Sequence, residues 1–143
     1  MIHFTLMIFS FMFGWQASAM SGEQVKSARW EHRLLAYVVT SEDERSGLET
    51  SLGEFRDGFE DRDLLLVNLG EIELEGMASI DLDEEEKEFW RRYWDFDLQE
   101  TRFVLVGKDG GAKAFQRTEL DLALFFDLID TMPMRRVEMS SDG

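Results

Sequence analysis

The sequence predicts an α/β protein built as a three-layer sandwich, one sheet with helices on both faces. Three observations predict it. Short, almost wholly apolar runs recur at residues 33–40, 63–69 and 101–107, the pattern of strands buried on both faces. Segments with apolar residues at helical spacing lie between and after them. The chain has 143 residues, 44% of them hydrophobic, with one proline and no cysteine, which suffices for a single core without disulfide staples.

Residues 33–40 (RLLAYVVT) are apolar and β-branched, as a central strand requires. Ser41-Glu42-Asp43-Glu44 then has the form of a helix start: a capping serine with acids in the first turn, where they suit the helix dipole. Leu48, Leu52, Phe55 and Phe59 fall on one face of that helix. Residues 63–69 (DLLLVNL) form a second strand, and the strand-helix-strand order makes it parallel to the first. Residues 70–88 hold nine Asp or Glu against one Lys and read as an exposed loop leading into a helix over residues 83–94. A third strand over 101–107 turns at Lys108-Asp109-Gly110-Gly111 into a fourth, antiparallel strand over 112–116. Thr118 and Asp121 mark the start of a last helix over 119–131 that points Leu122, Phe125, Phe126 and Ile129 inward and ends at Pro133. The resulting order, β-α-β-α-β-β-α, is the thioredoxin-like one.

The N-terminus reads as an address. Residues 1–19 carry no Asp, Glu, Lys or Arg, are largely apolar, and end in Ala17-Ser18-Ala19, small residues of the kind a signal peptidase reads. The expectation is a signal peptide over 1–19 and an exported thioredoxin-like domain over 20–143, periplasmic or secreted, with no membrane association once the signal is cleaved. The formal net charge of −15 then belongs entirely to the exported domain. It argues against nucleic acid as a partner, because a phosphate backbone needs clustered Lys and Arg.

Three stretches carry a resemblance: residues 30–35 (WEHRLL), 103–111 (FVLVGKDGG) and 128–139 (LIDTMPMRRVEM). They are similar to domain-of-unknown-function family 4174, a domain also found in vertebrate extracellular-matrix proteins such as equarin. The resemblance implies a thioredoxin-like, peroxiredoxin-related fold without an established enzymatic activity, exported in bacteria and extracellular in animals. It brings no catalytic residues with it.

Thioredoxin-like redox enzymes place a reactive cysteine where the first central strand enters its helix, since the helix N-terminus lowers the thiol pKa. Here Thr40, Ser41, Glu42, Asp43 and Glu44 occupy that place, and no proline precedes the third strand, so the redox position is degenerate. Thiol chemistry is excluded by the absence of cysteine. Ser41 as a hydroxyl nucleophile would need a base, and the two histidines, His3 and His32, lie elsewhere in the chain, so its expected role is a helix cap.

Two further candidates remain. Asp81, Asp83, Glu84 and Glu85 offer closely spaced oxygen ligands suited to Ca²⁺, against the plainer reading of a solvated helix start. Trp90 and Trp94, spaced as neighbours on one helix, and the Arg135-Arg136 pair of the tail have the composition of a partner-binding surface. The plainer readings are core packing for the tryptophans and a structural tie-down for the tail, its arginines paired to carboxylates. Trp30 is expected as a packing anchor at the domain entrance. The functional expectation is therefore a non-catalytic exported module without a cofactor that binds a protein or an envelope polymer. A calcium-binding structural module is the alternative, and a non-thiol enzyme ranks third.

Overall fold

The computed structural model describes residues 23–141. The expected signal segment lies outside the described residues. The elements are α1 (Glu23–Ala28), β1 (Arg33–Val38), α2 (Glu42–Glu54), α3 (Arg56–Asp61), β2 (Leu64–Asn68), β3 (Ser79–Ile80), α4 (Glu84–Tyr93), β4 (Arg102–Val106), β5 (Ala112–Arg117), α5 (Leu122–Asp130) and α6 (Pro133–Ser141). The sheet runs β3-β2-β1-β4-β5, with β1, β2 and β3 parallel and β4 and β5 antiparallel to their neighbours. No helix among the described residues is long and apolar enough to cross a membrane.

The strands are central because their side chains are apolar on both faces. Along β1, Leu35 and Tyr37 enter one core with Leu66 of β2 and Phe103 and Leu105 of β4. The alternate residues Leu34, Ala36 and Val38 enter a second core with Val67, Val104 and Val106. The first core is closed by α2, α3 and α5 through Leu52, Phe59, Leu122, Phe125 and Ile129. The second is closed by α1 and α4 through Val25, Ala28, Trp90 and Trp94. Three layers result from this alternation.

The helix expected after Ser41 is divided at Phe55, which ends α2 and opens α3. The break lets Phe55 and Phe59 both meet Phe126 of α5 edge-on, at 5.5 and 5.7 Å between ring centroids. Gly58 makes room for that ring, since a Cβ there would collide with Phe126. The last helix begins later than expected: the Asp121 carboxylate caps it by accepting from the Leu124 N–H, while Thr118 sits at φ 66 in the preceding turn. Pro133 starts a further helix, α6, where the sequence suggested a tail, because its fixed φ and missing N–H suit the first turn. The short strand β3 and helix α1 are also additions.

Within the acidic stretch the loop before β3 is tied to the core. The Leu74 N–H donates to the Tyr37 hydroxyl at 2.8 Å, and burial pushes the Tyr37 phenol up, above its ordinary range. Tyr37→Phe leaves that amide buried without its acceptor and should cost about 1–3 kcal/mol of unfolding free energy. Exchange of the Leu74 amide should accelerate in the same variant. An unchanged exchange rate would show that another group holds the loop.

Candidate functional site

The residues expected at the redox position, Thr40 to Glu44, lie at the junction of β1 and α2. The Ser41 hydroxyl accepts from the Glu44 N–H at 3.2 Å, so Ser41 is the N-cap of α2. The Thr40 and Thr101 hydroxyls lie 2.9 Å apart, and Thr101 also accepts from the Thr40 N–H and donates to the Glu44 carboxylate. Glu42 pairs with Arg45 at 2.7 Å, and Asp43 is exposed. A buried threonine and a carboxylate thus close the junction between β1 and α2. Among the described residues the Ser41 hydroxyl is hydrogen-bonded to the Glu44 N–H and to no base, so its role there is the helix cap.

The carboxylate run does not converge. Asp81, Asp83, Glu84 and Glu85 are all exposed, and among the described residues no three His, Cys, Asp or Glu side chains are arranged to hold a metal ion. Asp83 caps α4 by accepting from the Glu86 N–H at 2.9 Å, and Glu84 pairs with Arg91 at 2.8 Å. These are helix-start roles.

Trp90 and Trp94 stack on each other, with centroids 4.6 Å apart, and pack on the sheet, each 5% exposed. Inward-facing, they form the floor of a groove and not an open platform. The groove, about 520 Å³, lies between α1, α4 and the turn from β4 to β5. Its rim carries Phe89 and Tyr93, 40% and 64% exposed, with Lys26 and Arg29 from α1 and the turn after it. Lys26 lies over the Phe89 ring and Arg29 over the Trp30 ring. Trp30 is therefore no packing anchor: its ring is exposed at φ 73, and its N–H donates to the Lys108 carbonyl. Sequence reasoning missed Lys26 and Arg29 because α1 is too short to show a period. The i, i+4 spacing of Phe89 and Tyr93 was the available signal for the rim.

Arg135 and Arg136 do not line this groove. Arg135 is buried, bonding Asp61 at 2.5 Å and Asp130 at 3.1 Å. Arg136 is exposed and makes no ion pair among the described residues. Arg135 belongs to a cluster at the far end of the sheet from Thr40. There Glu138 of α6 takes both Arg33 Nη atoms, at 3.1 and 3.2 Å, and Lys108 at 2.5 Å. Asp63 is the second partner of Lys108, and Arg62 forks onto Asp130. Burial pushes the Glu138 carboxyl up, but hydrogen bonds from Lys108 and Arg33 outweigh it and hold the group below its ordinary 4.5. Asp130 is likewise lowered, burial being overcome by Arg62 and Arg135.

Over residues 24–138 the chain matches the family described as Domain of unknown function (DUF4174). The chain belongs to the DUF4174 family. No curated protein matches it. Among solved structures it is similar to a reduced 2-Cys peroxiredoxin of Plasmodium vivax, with a TM-score of 0.50 and 15% identity over 78% of this chain and 83% of that one. At that identity the likeness speaks for the fold, which is thioredoxin-like, as the strand order also shows. Each of the three stretches that carry the family resemblance supplies charges to one cluster: Arg33 from the first, Lys108 from the second, and Asp130, Arg135 and Glu138 from the third. In this chain Arg135 and Glu138 thus tie the tail to the sheet, while Arg136 is left exposed.

Because folding lowers the Glu138 and Asp130 pKa values, their contribution to stability is complete above the ordinary carboxylate range. It is lost as pH falls through about 4.5 toward the folded-state values. Denaturant melts should show this loss, and Glu138→Gln should shrink it while costing about 3 kcal/mol at neutral pH, since Arg33 is left buried without its partner. At the other end of the sheet, Ser41→Cys should give a thiol titrating at or above about 8.5, because Glu42, Asp43 and Glu44 oppose the helix field. A thiolate absorbance midpoint below about 7 would show that the junction still activates a thiol.

Proposed function

We propose that this DUF4174 domain is an exported, non-catalytic binding module whose ligand surface is the groove between α1 and α4. The observation that carries the reading is the rim. On a chain of net charge −15, two cations, Lys26 and Arg29, share the rim with two exposed aromatic rings, Phe89 and Tyr93, Lys26 lying over Phe89. Exposed aromatics with cations over an apolar floor are the composition of a binding hot spot. Support for a non-catalytic role comes from the redox position, filled by Thr40, Ser41 and Glu44 and hydrogen-bonded to Thr101. Support for export comes from the uncharged apolar N-terminus ending in Ala17-Ser18-Ala19.

The protein, incubated with an extracytoplasmic extract and recovered, is compared with Phe89→Ser/Tyr93→Ser by mass spectrometry of retained peptides and small molecules. Both rings are exposed, so the double variant should keep the wild-type melting temperature within a few degrees. The wild type should retain a component that the variant loses. Identical retention by the two proteins would remove the groove as the binding surface.

A further inference from the structure

We propose that the groove binds a small planar aromatic carboxylate. This rests on the reading of the groove as the ligand surface and adds the chemistry of the ligand. Three features of the groove define it.

The floor is apolar. The stacked Trp90 and Trp94 rings, with Leu34 and Val106 of the two central strands, line it, and its volume of about 520 Å³ lies in the range that encloses a small organic molecule. An aromatic ring seated there gains offset or edge contacts with the exposed Phe89 and Tyr93 rings of the rim.

Of the charged side chains that line the groove, two are cations, Lys26 and Arg29, and one is an anion, Asp109. The Nε1 atoms of Trp90 and Trp94 are buried and have no hydrogen-bond partner among the described residues. Lys26 and Arg29 make no ion pair among the described side chains and lie over aromatic rings, although the chain has twice as many acids as bases. The one carboxylate on the rim, Asp109, is already engaged. It takes Lys113 at 2.7 Å and the Gly111 N–H at 2.9 Å, and those hydrogen bonds, Lys113 first, with smaller help from the Lys113 and Arg29 charges, hold its pKa below the ordinary value. The groove therefore asks for an acceptor that carries negative charge, and a guanidinium meets a planar carboxylate with a two-point fork.

The surroundings limit how much charge the ligand can carry. Glu85, Glu88 and Arg92 line the hollow on the other side of Phe89 and Tyr93, with Arg92 paired to Glu88 at 2.8 Å so that Glu85 keeps its charge, and Glu31 is exposed beyond the end of α1. A polyanion leaving the groove would run over these carboxylates, whereas one carboxylate seated between Lys26 and Arg29 does not. Beyond roughly 8–10 Å the repulsion of the rest of the protein is screened at physiological salt.

Titrating the full chain with 2-naphthoate, followed by tryptophan fluorescence and calorimetry, tests the proposal. Saturable one-to-one binding is expected. Its affinity should fall roughly tenfold in Arg29→Gln and again in Lys26→Gln, two surface variants whose melting temperatures should match the wild type. Binding of 2-naphthalenemethanol, the same ring without the charge, and of acetate, the charge without the ring, should each be weaker by at least about tenfold. The proposal is overturned if naphthoate fails to saturate at millimolar concentration, if the alcohol binds equally well, or if both variants bind as the wild type does. Failure here alongside a component lost by the Phe89→Ser/Tyr93→Ser variant would leave the groove as a ligand surface and reject this ligand class. Failure in both experiments would reject the two readings together.

Discussion

The structure depends on one carboxylate. Glu138, on the last helix, lies between Arg33, which opens β1, and Lys108, which comes shortly after β4. Those two strands are adjacent at the centre of the sheet, so a single acid from the end of the chain clamps the same end of both. Arg33 is 1% exposed and Lys108 8% exposed, and a charge so far from water is tolerated only with a partner and good geometry. The position of α6 is therefore imposed from inside the fold. Arg135 extends the same logic to Asp61 and Asp130, and Arg62 continues it to Asp130 and the Gly58 carbonyl. The mixed sheet is closed at this end by ion pairs, while its faces are closed by apolar side chains.

The opposite end of the sheet is closed by other means. Thr40, Thr101 and Glu44 satisfy one another where a thioredoxin-like enzyme would present a thiol to its substrate. The same chain geometry that positions a reactive group there makes it a good place for a serine cap and acidic first-turn residues, because backbone N–H groups and a positive dipole end favour both. The helix start keeps its electrostatic advantage and uses it for stability. Polar chemistry at the two ends of the strands is consumed internally, and the concave aromatic surface lies on a face, between α1 and α4.

Much of the fold was legible because burial on both faces leaves a plain mark. The runs that became β1, β2 and β4 are apolar without alternation, and the inward set Leu122, Phe125, Phe126 and Ile129 of α5 keeps the helical period. The elements that escaped are short or depend on partners far along the chain. β3 is two residues long and pairs only through Leu66 and Val67, and α1 has six residues. α6 takes its place from Arg33, Lys108 and Asp61, positions distant from Pro133 in sequence. In the site, the spacing of Trp90 and Trp94 put both on one helix face but suited core packing and a binding surface alike. The sheet chose Trp90 and Trp94, and left Phe89 and Tyr93 at the rim.

By itself, the sequence determined the features that local composition and period dictate. It set the succession of β1, β2, β4 and β5 along the chain, the Ser41 cap, the absence of cysteine and the family resemblance, since each depends on residues close together or on counts. Only the tertiary structure decided where charge is buried and where aromatic surface is exposed. It brought Arg33, Lys108 and Glu138 into one cluster, separated Arg135 from the tryptophans, and set Lys26 and Arg29 beside Phe89 and Tyr93. Those arrangements join residues that are far apart in the chain, and such contacts exist only once the sheet and its two layers of helices have been packed.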